Sequence, residues 1–261
     1  PRPTAYSQRL MTSLSEPLTN WIRRHVDGTS ADGLVVGLSG GIDSATVARL
    51  CQLALPDAVV GVLLPCHSDP QDAADARLVA DHFDLPTITI SLDAVYDTLT
   101  SELRASLGKL PQAPNDLESR LPLANVKPRL RMTSLYFVAN AMNYLVAGTG
   151  NRSEMAIGYY TKYGDGGVDL LPIGNLLKDE VRDLAQELGV PTPIIEKPPS
   201  AGLWVGQKDE TEMGFSYAEL AAYLQDGPEA VSPESAKRIE QLTDASEHKR
   251  TLPPRPPPTT D

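Results

Sequence analysis

The chain is short of cysteine, of positive charge and of long apolar runs. Its 261 residues include two cysteines, Cys51 and Cys66. That is too few for a zinc centre, and they have no C-x-x-C spacing, so structural zinc and dithiol redox chemistry are excluded and both side chains are expected to pack. Lys and Arg number 23 against 34 Asp and Glu, a net charge of −11. Such an acidic surface opposes the clustered phosphate contacts that non-specific nucleic-acid binding needs. No apolar run approaches the length of a membrane span, and Pro1-Arg2-Pro3-Thr4 lacks the apolar core of a secretory signal. The expectation is a cytoplasmic protein with no membrane and no nucleic-acid partner.

The most informative stretch is Leu38-Ser39-Gly40-Gly41-Ile42-Asp43-Ser44-Ala45, set between the apolar run Leu34-Val35-Val36 and the helical pattern Thr46-Val47-Ala48-Arg49-Leu50. A strand that ends in two glycines and passes into a helix turns several backbone N–H groups into one concavity, with the positive helix end behind them. Ser39 and Ser44 add hydroxyls. Asp43 puts a carboxylate where a bare phosphate site would not want one, so a shared cation is expected and the ligand read here is Mg²⁺ with a polyphosphate. No Lys follows the glycines, so the stretch is neither a Walker A loop nor G-x-G-x-x-G. The plain structural alternative is a strand-to-helix corner.

Residues 7–26 place Leu10, Leu14, Leu18, Trp21, Ile22 and Val26 at helical spacing ahead of a strand at 33–38. A helix over about 43–55 leads to the apolar run 58–64, a strand buried on both faces. Residues 65–70 form a loop at its carboxyl end, where ligands bind in open parallel sheets, with His67 read as a solvated loop residue. A helix at 71–83, a strand at 87–90, a helix from 93 to about 107 and a surface connection at 109–122 follow. Asn125 is expected to cap a helix that buries Val126, Leu130, Phe137, Val138, Ala141 and Leu145. A strand at 144–148 ends in a loop at 149–154. Val181, Leu184, Ala185 and Leu188 mark a helix stopped by Gly189 and Pro191. Residues 198–214 read as a mobile loop with Trp204 exposed, before helices at 216–224 and 233 to about 249. The alternation predicts an α/β fold, a doubly wound, mostly parallel sheet with helices on both faces and extra N- and C-terminal helices. Residues 1–252 form one domain and 253–261 a Pro-rich tail.

Ser39-Gly40-Gly41-Ile42-Asp43-Ser44 resembles the SGGxDS pyrophosphate loop of the N-type ATP pyrophosphatases. Within that group the chain looks like the NAD synthetase family. The residues that carry this are Asn125-Val126-Lys127-Pro128-Arg129-Leu130-Arg131-Met132, Gly148-Thr149-Gly150-Asn151-Arg152-Ser153-Glu154, Tyr160-Thr161-Lys162-Tyr163-Gly164-Asp165-Gly166-Gly167-Val168-Asp169 and Glu247-His248-Lys249-Arg250. The resemblance implies an adenine nucleotide alpha hydrolase-like fold and an ammonia-dependent ligase. Such an enzyme adenylates the carboxylate of deamido-NAD with ATP and amidates it, releasing NAD, AMP and pyrophosphate, as a homodimer with Mg²⁺.

By the same resemblance Gly37, Leu38, Ser39, Gly40, Gly41, Ile42, Asp43, Ser44, Thr149, Lys178 and Ser200 contact ATP. Arg129, Lys162, Asp169, His248 and Lys249 contact deamido-NAD. Asp43 and Glu154 hold the metal and, with Lys178, form the catalytic set. The chain departs from the pattern at Pro128, where alanine is common, and at Tyr159 and Tyr160, where many relatives have phenylalanine; stacking is kept and hydroxyls are added. A tRNA-modifying pyrophosphatase fits the acidic surface poorly, and a sensor that has lost catalysis fits poorly with both carboxylates retained. Glutamine is not expected as the nitrogen source, because a glutaminase needs an activated nucleophile. Loops 65–72 and 198–214 are expected to close over bound substrates.

Overall fold

A run of three fully buried residues, Leu34, Val35 and Val36, places the first strand at the centre of a sheet covered on both faces. The computed structural model describes residues 13–114, 116–200, 202–204 and 207–256. Four strands, β1 (Gly33–Gly37), β2 (Val59–Leu63), β3 (Thr87–Thr89) and β4 (Tyr144–Ala147), pair in the order β3-β2-β1-β4. All three pairings are parallel, with Val35 opposite Val60 on one side and Val146 on the other. Parallel neighbours need crossover segments, and helices supply them. α1 (Ser15–Asp27) precedes β1, α2 (Ile42–Ala54) follows it, and α3 (Pro70–His82) joins β2 to β3. α4 (Asp93–Leu107), α5 (Arg120–Ala124) and α6 (Val126–Met142) lie between β3 and β4. After β4 come α7 (Arg152–Ile157), α8 (Lys178–Glu187), α9 (Thr192–Ile195), α10 (Asp209–Met213), α11 (Tyr217–Asp226), α12 (Pro233–Ala245) and α13 (Glu247–Arg250).

Because side chains alternate along a strand, β1 sends Leu34 and Val36 to one layer and Val35 to the other. The first layer packs on α1, α2, α3 and α8 through Ile22, Leu50, Ala76 and Leu184. The second packs on α6 through Val138 and Ala139. Each fully buried Val or Leu contributes about 1.5–3 kcal/mol relative to exposure, so the central strand anchors both layers. A separate cluster of Ile157, Met213, Phe215, Leu220 and Ile239 binds α7, α10, α11 and α12 together, and it fixes the segment around Asp209 against the mouth of the sheet. The start of α1, whose Leu14 has no capping side chain, is capped from α8. Glu187 accepts hydrogen bonds from Ser13 Oγ at 2.5 Å and from the backbone N–H groups of Leu14 and Ser15 at 3.3 Å.

Several expectations need correction. Asn125 does not cap α6: α5 runs straight into α6, so Asn125 is itself helical (φ −68°, ψ −11°) and its side-chain oxygen accepts from Thr161 Oγ1 at 2.8 Å. Phe137 is 75% exposed and Ala141 also faces outward, while Val138 is buried as expected; α6 also buries Lys127, Pro128 and Ala139. Part of the connection at 109–122 belongs to α5, and part of the loop at 198–214 to α10. Of the first helix, the expected start at 7–12 lies outside the described residues.

Candidate active site

The loop after β1 is held in shape by its own serines. Ser44 Oγ accepts from the Ser39 N–H at 3.2 Å and from Ser39 Oγ at 3.0 Å, and donates to the Gly41 carbonyl at 2.9 Å. Gly40 has φ +78°, and a Cβ there would lie 2.4 Å from the Asp72 carbonyl oxygen. Only glycine allows the loop to pass so near the first turn of α3. α2 begins at Ile42 with Gly41 at its N-cap and no capping side chain. Its first-turn N–H groups are left for an anion.

Three side chains meet beside this cradle. Asp43, in the first turn of α2, accepts from Asn151 Nδ2 at 3.2 Å and from Lys178 Nζ. Glu154, in the first turn of α7, forms a reciprocal cap with the fully buried Asn151. Its Oε2 takes the Asn151 N–H at 3.2 Å, while its Oε1 lies 3.7 Å from Lys178 Nζ. Lys178 opens α8, is 5% exposed, and lies over the Tyr217 ring at 5.4 Å. Burial, and then Asp43, push the Glu154 carboxyl above its ordinary range. Burial also works against the Lys178 ammonium, but Asp43 and Glu154 outweigh it and the group is held charged. Two carboxylates thus face a single cation in a poorly solvated place.

The donor set fits magnesium. Among the described residues no cluster of three or more His, Cys, Asp and Glu could cage an ion. Magnesium is commonly held by one or two carboxylates with substrate phosphates and water completing its shell, and Asp43 and Glu154 are two carboxylates beside the uncapped first turn of α2.

These features line a cleft of ≈ 460 Å³ along the carboxyl edge of the sheet. Gly37, Leu38, Ser39, Gly41, Ile42, Asp43, Ser44, Thr149, Glu154, Lys178, Ser200 and Lys249 all line it. Gly40 lies behind the loop, against α3. Lys249 donates to the carbonyls of Gly158 at 2.6 Å and Tyr160 at 2.7 Å. Arg129, Lys162, Asp169 and His248 are not among the lining residues. Three of them join in a chain: Arg129 donates to the Lys162 carbonyl at 3.3 Å, and Lys162 to the His248 carbonyl. Asp169 instead accepts from Tyr136 Oη at 2.9 Å and the Val146 N–H at 2.7 Å.

The sequence pattern of the NAD synthase family matches residues 14–253. The chain belongs to the NAD synthase family. It is 50% identical over 239 residues to the NH(3)-dependent NAD(+) synthetase of Carboxydothermus hydrogenoformans, covering 92% of this chain and 95% of that protein. Among solved structures it resembles the NMN synthetase from Francisella tularensis, with TM-score 0.85 and 37% identity over 93% of this chain and 96% of that one. It also resembles the NH3-dependent NAD synthetase from Campylobacter jejuni, with TM-score 0.75 and 27% identity over 96% and 98%.

This NAD synthase cleft contains polar groups that sequence reasoning missed. Lys197 donates to Asp72 at 2.8 Å and to Asp75 at 2.5 Å. Tyr159 Oη donates to Asp209 at 3.2 Å and Glu212 at 2.8 Å, Tyr217 Oη to Asp209 at 3.0 Å, and Gln207 Nε2 to Glu212 at 2.8 Å. These bonds fasten α10 to the wall beside Glu154. Lys127 donates to the Leu203 carbonyl at 2.9 Å, and the Arg120 guanidinium lies 4.2 Å over the Trp204 ring. Trp204 is therefore half-buried rather than exposed. The only sequence signal was the charge in Lys208-Asp209-Glu210, which reads equally well as a solvated face.

Proposed function

We propose that this chain is a C–N ligase that amidates deamido-NAD with ammonia, driven by cleavage of ATP to AMP and pyrophosphate. One observation carries the reading: a phosphate cradle whose mouth holds two carboxylates and one buried lysine, in a chain that matches the NAD synthase family over residues 14–253. A carboxylate is a poor electrophile in water, so its oxygen first attacks the α-phosphorus and the bond to pyrophosphate breaks. Ammonia then attacks the acyl carbon through its lone pair, AMP departs with the C–O electrons, and a proton leaves the nitrogen.

Within the chain, Ser39, Ser44 and the first-turn N–H groups of α2 hold the departing pyrophosphate, and Lys178 adds a preorganised positive charge. Asp43 and Glu154 would hold magnesium, which when bound supplies charge neutralisation on the phosphates. The segment around Leu203 and Trp204 covers the mouth and keeps water from the acyl adenylate.

Free ammonia is the nitrogen source because neither thiol suits a glutaminase. Cys51 and Cys66 are both fully buried, and burial pushes both thiols up, whereas a nucleophilic cysteine needs its thiolate. Incubation with ATP, Mg²⁺ and deamido-NAD should yield NAD and pyrophosphate with ammonium and nothing with glutamine. At fixed total ammonium the rate should rise between roughly pH 7 and 9, since only the neutral amine attacks. Comparable turnover on glutamine, or no pyrophosphate with ammonium, would sink the reading. A second reading comes from the likeness to the NMN synthetase: the acceptor is the mononucleotide acid rather than the dinucleotide. A higher kcat/KM with nicotinic acid mononucleotide than with deamido-NAD would decide for it.

The enzyme works in the cytoplasm, where both thiols stay reduced, and as a pair of identical chains. Val95, Leu99, Leu103 and Leu107 recur every four residues on α4 and are 38–51% exposed, and Phe137 stands on the adjacent α6. An apolar patch of this kind marks an interaction face. Phe137→Glu should halve the mass seen by light scattering while the circular dichroism spectrum is unchanged; an unaltered mass would remove this face.

A further inference from the structure

Arg131 lies on α6 and lines the cleft. Its Nε donates to the Leu64 carbonyl at 3.1 Å and its Nη2 to Ser68 Oγ at 3.1 Å. Among the described residues it makes no ion pair and Nη1 makes no hydrogen bond. Asp165 and Asp72 act on it only from farther away. The other cations of the cleft differ: Lys178 and Lys197 face carboxylates, and Lys249 is spent on two carbonyls. A guanidinium stays charged even when burial pulls its pKa down, as it does here. Of its five N–H donors two are used, and the residue lines the cleft. A cation left uncompensated in a poorly solvated wall is costly unless a ligand completes it.

The sheet order says which ligand. β2 and β4 lie on opposite sides of β1. Leu64 and Ser68 follow β2, Glu154 and the run from Thr161 to Asp169 follow β4, and the phosphate cradle follows β1 between them. A nucleotide with its phosphates over β1 can extend its base either way. On the β2 side the cleft is lined by Leu38, Leu63, Leu64 and Leu135, an apolar wall that suits a flat base. On the β4 side the lining mixes Tyr160 and Val168 with the polar Thr149, Glu154, Thr161 and Asp165.

We propose that Arg131 binds the nucleoside monophosphate half of ATP, the half that becomes AMP, through the guanidinium donors that Leu64 and Ser68 leave unused. The assignment rests on the ATP-dependent ligase reading above. That half is present in ATP, in the acyl adenylate and in AMP, so the contact stabilises ground and transition states alike. Its loss raises KM for ATP and leaves kcat at saturating ATP nearly unchanged.

The test is calorimetric titration of the full chain with AMP and, separately, with inorganic pyrophosphate, for wild type, Arg131→Met, Arg131→Lys and Ser68→Ala. Losing charge-assisted hydrogen bonds should weaken AMP by about 10- to 100-fold in Arg131→Met, with pyrophosphate affinity kept. Arg131→Lys should recover part of the loss, and Ser68→Ala, which removes only the strut to the loop, should bind AMP like wild type. Equal weakening of AMP and pyrophosphate, unchanged AMP affinity in Arg131→Met, or a Ser68→Ala defect as large as that of Arg131→Met would overturn the assignment while leaving the ligase reading intact. A wild-type chain that binds neither AMP nor pyrophosphate would overturn both.

Discussion

Asp43→Asn should cut turnover by about 10²- to 10³-fold, the usual effect of losing one preorganised charge contact at a reacting centre. The amide keeps the shape of the carboxylate, and Asp43 is 18% exposed in the first turn of α2, so secondary structure and melting behaviour should change little. What changes is charge. Asp43 is hydrogen-bonded by both Lys178 and Asn151, and it stands where the cation that accompanies the triphosphate is expected. With Asn, the concentration of Mg²⁺ needed for half-maximal rate should rise as well as kcat fall. Near-normal turnover at ordinary Mg²⁺ would remove Asp43 from the mechanism, and a large fall in melting temperature would mean that its role is structural.

Lys178→Met should have the largest effect on stability. The substitution leaves Asp43 and Glu154 facing a place with no cation. Breaking a largely buried ion pair in this way costs about 3 kcal/mol, which for a chain of this size lowers Tm by about 6–12 °C. The sign with pH follows from the groups involved. Lys178 is held protonated, so its contribution in the wild type is fully present through neutral pH and is lost only as pH rises past its folded value. Glu154 is pushed up, so in the variant it regains a proton as pH falls and the repulsion eases. The gap in Tm between the two proteins should therefore widen as pH rises through about 8 and beyond, because removing the ammonium pushes the Glu154 carboxyl higher still.

Mg²⁺ without nucleotide should restore part of the variant's Tm, because an ion that binds only the folded state stabilises it, and should do less for the wild type, where the ammonium already neutralises the pair. Equal stability of the two proteins across that range would show that Lys178 does not hold the carboxylates together. This loss should also abolish most activity, since the same ammonium is assigned to the phosphates.

The legible parts of the site are those made within one stretch of chain. The turn from β1 through Ser39, Gly40 and Gly41 into α2 is contiguous, and its chemistry follows from residue types at fixed spacing. Glu154 was named only through the family resemblance, because a carboxylate three residues into a helix after β4 reads equally well as an ordinary helix-start residue. Arg131 was visible only as part of a motif, because its neighbours Leu64 and Ser68 come from another strand's loop. Asn125 misled because it carries the signature of an N-cap, but the preceding turn is already helical and the side chain is free to hold Thr161. Phe137 misled because helical spacing places it near Val138, and the sequence does not say which side of that helix meets the sheet.

By itself the sequence determined the four strands of the described residues, their alternation with helices, the glycine turn after β1 and the family. All of these depend on periodicity, on glycine at one left-handed position and on short motifs, and each is local in the chain. Only the tertiary structure decided the partnerships. Lys178 reaches Asp43 across 135 positions and Lys197 reaches Asp72 across 125. Residues 203 and 204 meet Lys127 and Arg120 from the far side of the cleft. Such pairs depend on how α2, α8 and the segments after β4 stack on one sheet edge, and that stacking is set by the burial of Leu34, Val36, Leu50 and Leu184 rather than by the charged residues it brings together.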